Sequence, residues 1–211
     1  MPSLDAIIVA GGRSSRLGGS SKALLEYKGV SLLTRTVTAV QDAGANHTVV
    51  VGPDDVLRPR LPGIVLMTRE VPPFSGPAAA IGAGLRSLLE ARGHLLDSAL
   101  DSDDITLLLA CDMPQAPSIV HTLLNAVELR PGFHAWVPQD PSGRAQYLAC
   151  AVRTAALTDA VGAAGDLAGK PVRVLLASLQ RYTFTSDSTA DVDTPADAAM
   201  FGITVQNGTR H

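Results

Sequence analysis

The chain has 211 residues, of which 46% are hydrophobic and 18% charged, and its formal net charge is −3. This composition excludes an intrinsically disordered protein, and the lack of a basic excess argues against one that chiefly binds DNA or RNA. The length predicts one domain over residues 1–203 and a loose tail over 204–211. No apolar run reaches the ~18–20 residues of a membrane span. The first residues lack a secretory-signal pattern, so we expect a cytoplasmic protein without membrane attachment.

Short apolar runs alternate with stretches of helical spacing through the first half of the sequence. The predicted strands, rich in β-branched and apolar residues, are Asp5–Ala10, Thr48–Val51, Ile64–Met67 and Ile105–Ala110. The predicted helices are Ser31–Ala43, Gly76–Ala91 and Pro117–Leu129. This alternation indicates an α/β fold with a mainly parallel sheet that is covered by helices on both faces.

The second half of the sequence is less regular. Its predicted strands are Ala135–Pro138 and Gln146–Val152, a hairpin-like pair around the turn 140–144, and Tyr182–Thr185. Its predicted helices are Thr154–Ala163, Pro171–Leu179 and a last one that begins with a capping box at Thr194. The acidic segment Asp101–Asp104 is predicted to be a solvated connection, and Cys111 and Cys150 to be buried thiols.

A glycine-rich and basic segment follows the first predicted strand. It runs from Val9 to Lys22 with the sequence V-A-G-G-R-S-S-R-L-G-G-S-S-K. Ligands of a parallel sheet bind beyond the carboxyl ends of its strands, and glycines let backbone N–H groups approach phosphate oxygens. Arg16 and Lys22 would add fixed positive charges. The spacing matches neither the P-loop nor the Gly-x-Gly-x-x-Gly motif. The segment therefore predicts another kind of phosphate site, the alternative being a solvated surface loop.

Carboxylates follow two other predicted segments. Asp112 comes directly after the apolar run that ends at Cys111, and Asp193 precedes the capping Thr194. Because Mg²⁺ takes one or two protein carboxylates and leaves its other positions to water and substrate phosphates, Asp112 and Asp193 predict an Mg²⁺ site. Asp191 is predicted to point to the opposite face of its segment. The alternative for both carboxylates is ordinary turn or helix-cap chemistry.

Together these segments resemble the MobA-like nucleotidyltransferase family, which contains the molybdenum cofactor guanylyltransferases. The resemblance is carried, in the family's order, by Val9–Lys22, Arg69–Pro77, Cys111–Pro114, Gly143–Gln146 and Asp191–Pro195. It implies a Rossmann-like three-layer αβα sandwich of the nucleotide-diphospho-sugar transferase type. It also implies an Mg²⁺-dependent enzyme that moves GMP from GTP to the terminal phosphate of molybdopterin and releases pyrophosphate.

The resemblance also implies roles for individual residues. Arg16 is expected on the departing pyrophosphate, Lys22 on the nucleotide phosphates and Asp112 on Mg²⁺, and these three are the expected catalytic residues. The expected nucleotide-binding residues are Val9, Ala10, Gly11, Gly12, Arg13, Lys22, Gly52, Glu70, Gly76 and Asp112. We further expect Arg144 and Arg173 to contact the acceptor phosphate, and transient docking to proteins that receive the finished cofactor.

Two positions depart from the guanylyltransferase pattern where the base and ribose would be read. Gly52 stands where that family commonly has Asn, and Val71 where it has an acidic residue. Glu70 can accept a hydrogen bond from a guanine edge, or it can be a solvated surface charge. A molybdopterin cytidylyltransferase, a sugar-phosphate nucleotidyltransferase and a nucleotide-binding module without catalysis therefore stay open as alternatives.

Overall fold

Strands form where the sequence has apolar, β-branched runs, and helices where apolar residues recur every three or four positions. The structure is a computed structural model that describes residues 2–11, 21–93 and 100–203. The strands of these residues are β1 (Leu4–Val9), β2 (Glu26–Tyr27), β3 (Val30–Ser31), β4 (His47–Val51), β5 (Leu66–Thr68), β6 (Ile105–Ala110), β7 (Ala135–Gln139), β8 (Ala149–Arg153) and β9 (Arg181–Thr185). Their helices are α1 (Leu32–Asp42), α2 (Asp54–Leu57), α3 (Pro77–Ala91), α4 (Ala116–Leu129), α5 (Thr154–Ala164) and α6 (Pro195–Met200).

The described strands form a seven-stranded sheet in the order β5-β4-β1-β6-β8-β7-β9, and β2 and β3 form a separate hairpin. Strand β1 lies at the centre and pairs in parallel with β4 and β6. Within this described sheet only β8 runs antiparallel to its neighbours, β6 and β7. The predicted mainly parallel sheet is confirmed. The hairpin-like pair of β7 and β8 is confirmed too, although β8 begins at Ala149 rather than Gln146.

Helices cover both faces of the sheet, so the fold has the predicted three layers. On one face, α1 and α4 place Val37 and Leu123 in a buried cluster with Ile8 of β1. On the other face, Leu85 of α3 shares a second cluster with Ile7 of the same strand. Neighbouring residues of β1 thus point to opposite faces and both are buried. This is why the strand has an unbroken apolar run rather than alternation.

Helix α3 approaches the sheet closely because it has a glycine at its contact point. A Cβ added at Gly84 would lie 2.5 Å from Cγ2 of Ile7 and 3.0 Å from Cγ2 of Val51. Both neighbours are fully buried in a core that is packed too densely to take up an extra methyl group. The glycine therefore sets the distance between α3 and the strands β1 and β4.

We expect Gly84→Ala to lower the free energy of unfolding by about 1 kcal/mol or more, because overpacking a rigid core outweighs the better helix propensity of alanine. Gly162→Ala is the matched control, since Gly162 also lies within a helix, α5, and nothing lies within 4 Å of a Cβ there. Urea denaturation of both variants measures the difference. A Gly84→Ala protein as stable as the control would contradict the packing argument.

The predicted helix Pro171–Leu179 is wrong. Within this described segment only Val172–Val174 is regular, as a 3₁₀ turn, and the next N–H groups bond to carbonyls three residues back, as from Leu175 to Val172 at 2.9 Å. Val172 and Leu175 are both buried. Apolar residues three apart lie on one side of a 3₁₀ turn as well as of an α-helix, so their spacing did not distinguish the two.

The prediction that Asp101–Asp104 is a solvated connection is wrong for Asp104. Its carboxylate accepts a hydrogen bond from the N–H of Ser3 at 2.6 Å and pairs with Nη2 of Arg92 at 2.8 Å. Nε of Arg92 also lies 3.3 Å from the carboxylate of Asp5, which is fully buried in β1. Buried charges are tolerated when they are paired in this way. The ion pairs join the end of α3 to the amino ends of β1 and β6.

Three further predictions concern the cysteines, membrane attachment and the tail. Cys111 and Cys150 are buried and unbridged, as predicted, and lie in clusters on opposite faces of the sheet. None of the helices in the described residues is long and apolar enough to span a membrane. The tail predicted at 204–211 lies outside the described residues.

Candidate active site

A cavity of about 490 Å³ opens at the carboxyl edge of the central strands. Val9 of β1 pairs with Ala110 of β6, so the residues that follow these strands emerge side by side. The N–H of Ala10 donates to the carbonyl of Val51 at 2.8 Å, and that of Cys111 to the carbonyl of Val9 at 3.2 Å. These bonds extend the sheet into the cavity wall. The cavity thus lies where open parallel sheets bind ligands.

The cavity brings together most of the predicted nucleotide-binding residues. Those among the described residues that line it are Val9, Ala10, Gly11, Lys22, Glu70, Gly76 and Asp112. The predicted residues Gly12, Arg13 and Arg16 lie outside the described residues. Asp193 also lines the cavity, and so does Phe74, which the sequence did not indicate.

Three charged side chains meet in this cavity. The ammonium of Lys22 lies 3.4 Å from Oδ2 of Asp112 and hydrogen-bonds Oδ1 of Asp193. Lys22 begins the 3₁₀ turn Lys22–Leu24, which is anchored by the buried Ala23, whereas Asp112 directly follows β6. The predicted cation and the predicted carboxylate therefore face each other over one edge of the sheet.

Burial and charge act in opposite directions on these groups. Burial raises the pKa of Asp112 above its ordinary value, and the Lys22 ammonium offsets this only in part. Burial also lowers the pKa of Lys22, but the hydrogen bond to Asp193 and the charge of Asp112 outweigh it, so that pKa is raised overall. Lys22 therefore carries a positive charge at neutral pH.

Asp193 is held in place by the C-terminal helix. The hydroxyl of Thr194 accepts a hydrogen bond from the N–H of Asp197, and the Asp197 carboxylate accepts from the N–H groups of Asp193 and Thr194. This is the predicted capping box of α6. On its other side, the segment is tied to the sheet edge, because the N–H of Val192 donates to the carbonyl of Asp112 at 3.1 Å.

The C-terminal segment also packs against the turn that carries the lysine. Leu25, just after this turn, shares a buried cluster with Val192 and Ala198. Burial of these apolar side chains fixes the two segments relative to each other. Lys22 and Asp193 are thus presented by elements that a small core of their own holds together.

Asp112 has a carboxylate oxygen that no described residue satisfies. Its Oδ1 is buried and has no hydrogen-bond partner among the described residues. An unpaired buried carboxylate oxygen is costly, and a bound cation is one way to satisfy it. With Asp193 the site offers two carboxylates, the number that Mg²⁺ commonly takes from a protein. The described residues contain no group of three or more acidic, histidine or cysteine ligands. Further ligand oxygens would come from substrate or water.

A second cavity, of about 360 Å³, adjoins the first. Asp112 and Asp193 line both cavities, so they form part of the wall between them. Arg144 and Arg173, the predicted acceptor contacts, both line the second cavity. The structure therefore brings these two arginines, which are far apart in sequence, to the far side of the same pair of carboxylates.

The prediction that Asp191 points away from Asp193 is wrong. Both residues line the second cavity, and Val192 between them is fully buried. Residues two apart in an extended segment point to the same side, and the residue between them points to the other. Burial raises the pKa of Asp191, and the charge of Asp193 raises it further.

Glu70, on the loop after β5, is buried with only 6% of its surface exposed. Its Oε1 accepts a hydrogen bond from the N–H of Phe74 at 2.9 Å. Its Oε2 is buried and has no hydrogen-bond partner in the described part of the chain. The alternative of a solvated surface charge is therefore wrong. An ionised carboxylate only accepts hydrogen bonds, so Glu70 can bind the N–H group of a ligand in the cavity.

Gly52 is not among the described residues that line either cavity, contrary to its prediction as a nucleotide-binding residue. It is buried at the end of β4, and its N–H donates to the carbonyl of Thr68 at 3.0 Å. A Cβ there would lie 3.2 Å from the carbonyl of Ala10 and 2.8 Å from Cδ1 of Leu57. Gly52 therefore lets the backbone of β4 support the cavity wall closely, and an asparagine would require this packing to shift.

Arg144 lies at the end of a turn that is organised by one carboxylate. Asp140 accepts hydrogen bonds from the N–H and hydroxyl of Ser142, the N–H of Arg144 and the side-chain amide of Gln146. These bonds, that of the Ser142 hydroxyl above all, hold the pKa of Asp140 below its ordinary value. Ionised Asp140 thus sets the direction of the backbone at Arg144.

Because the pKa of Asp140 is lower in the folded than in the unfolded protein, its ionised form stabilises the fold. That contribution is full above the unfolded-state pKa and is lost as the pH falls through the folded-state pKa. We expect Ser142→Ala to move the pKa of Asp140 up toward its ordinary value, and Gln146→Ala to move it less. Carboxyl NMR titration measures both shifts. An unchanged Asp140 pKa in Ser142→Ala would show that the hydroxyl is not the main cause.

The fold and the site together define the class of protein. The structure has a parallel α/β sheet, and the cavity at its carboxyl edge combines backbone from β1, a lysine and two aspartates. A nucleotidyl transferase of known structure, from Methanothermobacter, shares this fold with a TM-score of 0.66 at 19% identity, over 94% of this chain and 95% of that one. The family model of the MobA-like NTP transferase domain matches residues 6–182. The chain belongs to this family.

Similar proteins agree with this assignment. The molybdenum cofactor guanylyltransferase of Ralstonia pickettii (strain 12J) is 30% identical over 113 residues, which are 54% of this chain and 54% of that protein. The chain thus spans about half the length of the curated relatives it matches.

Solved structures share the fold at low sequence identity. Rv0371c from Mycobacterium tuberculosis H37Rv has a TM-score of 0.66 at 20% identity, over 95% of this chain and 97% of that one. A structure of Rv0371c in complex with manganese has a TM-score of 0.62 at 18% identity, over 94% and 97%. Molybdopterin-guanine dinucleotide biosynthesis protein A from Archaeoglobus fulgidus has a TM-score of 0.63 at 20% identity, over 93% and 96%.

Proposed function

We propose that the protein is a nucleotidyltransferase that moves GMP from GTP to the terminal phosphate of a molybdopterin-type acceptor and releases pyrophosphate. The observation that carries this proposal is the meeting of Lys22 with Asp112 and Asp193 at the wall between two cavities. The names of the Ralstonia pickettii relative and of the Archaeoglobus fulgidus protein support this pair of substrates.

The proposed reaction needs positioning and charge neutralisation rather than a protein nucleophile. An oxygen of the acceptor phosphate attacks the α-phosphorus of GTP and forms a new P–O bond. The bond from the α-phosphorus to the bridging oxygen breaks, and its electron pair leaves with pyrophosphate. Lys22, which stays protonated at neutral pH, neutralises charge on the nucleotide phosphates. The backbone N–H of Gly11, which lines the first cavity, can approach these phosphates because the residue has no side chain.

Asp112 and Asp193 are the residues that would hold Mg²⁺, with Oδ1 of Asp112 as one ligand atom. When bound, the ion supplies positive charge that polarises the phosphates. Without added positive charge, two carboxylates would repel a triphosphate at short range. The manganese complex of Rv0371c, a protein of the same fold, supports the use of a divalent ion.

The second cavity is the proposed site of the acceptor. Arg144 and Arg173 line it, and guanidinium groups bind phosphate through two parallel hydrogen bonds. Asp112 and Asp193 belong to the walls of both cavities. An acceptor phosphate in the second cavity and the α-phosphate of a nucleotide in the first would therefore meet at these carboxylates.

Glu70 supports the choice of guanine. Its buried carboxylate only accepts hydrogen bonds, so it favours a base edge that presents N–H donors. Guanine presents a ring N–H and an exocyclic amine on one edge, whereas cytosine presents only its amine there. Because cytosine also presents an N–H donor, a cytidylyltransferase is the nearest alternative to the proposed guanylyltransferase.

We expect Lys22→Met to lower kcat for GTP-dependent pyrophosphate release by about 100–1000-fold, because one preorganised electrostatic contact is lost. Lys28→Met is the matched control, since Lys28 is exposed and its ammonium lies 5.1 Å from the centroid of the Tyr27 ring, outside the cavity. The assay contains GTP, Mg²⁺ and molybdopterin. Equal rates for the two variants would exclude the proposed role of Lys22.

The selectivity for the nucleobase is tested by incubating labelled GTP, CTP, ATP or UTP with molybdopterin. The products are then separated by chromatography. We expect GTP to be preferred, and Glu70→Gln to lower kcat/KM for GTP about tenfold or more, because a hydrogen bond to an ionised acceptor is lost. A preference for CTP would identify a cytidylyltransferase. Tight NTP binding without pyrophosphate release for any acceptor would identify a non-catalytic module.

A further inference from the structure

Phe74 lies in the loop 69–76 between β5 and α3, in a backbone conformation that its side chain disfavours. Its φ is +65°, in the left-handed region where bulky residues are uncommon. Residues held in such conformations concentrate at ligand sites. A glycine would take the same φ without strain, so the turn itself does not require a phenyl ring. The aromatic side chain at this position therefore requires a separate explanation.

This backbone conformation places two parts of Phe74 at the cavity. Its N–H donates to Oε1 of Glu70, and the residue, which is half exposed, lines the same cavity as Glu70. The guanidinium of Arg69 lies over the ring, 5.2 Å from its centroid. Covering an apolar ring that is partly exposed to water lowers the free energy of the complex, which favours binding of a ligand there. A partly exposed ring and a buried hydrogen-bond acceptor thus lie together in one cavity wall.

We propose that the ring of Phe74 is a stacking platform for the nucleobase of the bound nucleotide. This inference rests on the proposed function and assigns a residue to the base. A nucleobase has polar edges and flat π faces, so an edge pairs with Glu70 while a face lies on Phe74. Aromatic side chains bind bases through such stacking, which tolerates any base. In this arrangement Glu70 contributes to the selectivity for the base, and Phe74 contributes to the affinity for the nucleotide.

The loop that carries Phe74 is held by hydrogen bonds to the segment 169–170 and within the loop itself. The carbonyl of Ser75 accepts a hydrogen bond from the N–H of Gly169 at 2.7 Å, and the hydroxyl of Ser75 donates to the carbonyl of Pro72 at 2.5 Å. The N–H of Ala78, in the first turn of α3, donates to the carbonyl of Lys170 at 3.4 Å. A platform fixed in this way loses little conformational freedom when a ligand binds, which favours affinity.

Equilibrium binding of GTP and of inorganic tripolyphosphate, without acceptor, separates the base contact from the phosphate contacts. Phe74→Gly removes the ring but keeps the N–H and suits the left-handed φ, whereas Phe74→Tyr keeps a ring. Ile64→Ala is the control, because Ile64 is 76% exposed and does not line the cavity. We expect Phe74→Gly to weaken GTP binding about tenfold and tripolyphosphate binding by less than about twofold. Ile64→Ala should bind both ligands as the parent does, and Phe74→Tyr, which keeps a ring, should bind GTP more tightly than Phe74→Gly.

Unchanged GTP affinity in Phe74→Gly would overturn the stacking platform and leave the proposed function standing. An equal loss of GTP and tripolyphosphate binding would overturn it as well, because the ring would then act on the phosphates or on the fold. A parent protein that binds no NTP would refute both. The emission of Trp136, the chain's single tryptophan and a fully buried one, checks that the variants fold alike.

Discussion

The ammonium of Lys22 is the point at which three distant parts of the chain meet. It joins the turn beyond β1, the end of β6 and the segment before α6 through two carboxylates. Without that cation, Asp112 and Asp193 would repel each other, and burial would favour protonation of Asp112. The sheet edge, the small apolar cluster around Leu25 and the capping box of α6 all place these charges. These elements thus fix the positions of the three charged side chains in the cavity.

The two cavities lie on either side of these charged side chains. One contains the backbone after β1 and the loop with Glu70, and the other contains Arg144 and Arg173. Rigid features surround both: close packing at Gly52 behind the first, and the Asp140 turn beside the second. Two ligands bound on either side would approach each other only across the shared carboxylates. Such an arrangement suits the transfer of a group between two phosphates, because catalysis then depends mainly on alignment.

The local sequence pattern was sufficient to predict the sheet and the meeting of Lys22 with Asp112. This is because parallel strands direct the residues after them to one edge of the sheet. Lys22 and Asp112 were predicted on that ground. Where burial depends on a distant partner, sequence was a poor guide: Asp104 is buried because Arg92 lies against it. The same holds for Phe74, whose place in the cavity follows from a left-handed backbone at an aromatic residue. Its position in a Pro-rich stretch just before Gly76 was the one available signal.

The C-terminal helix has a consequence for where this protein can be divided. The matched family region ends at residue 182, yet Asp193 lies beyond it and hydrogen-bonds Lys22. A fragment cut at 182 would remove one of the two carboxylates that contact Lys22 among the described residues, and it would uncover the apolar side chain of Leu25. Helix α6 therefore helps to hold the candidate site together, and a chimaera or shortened chain has to retain it.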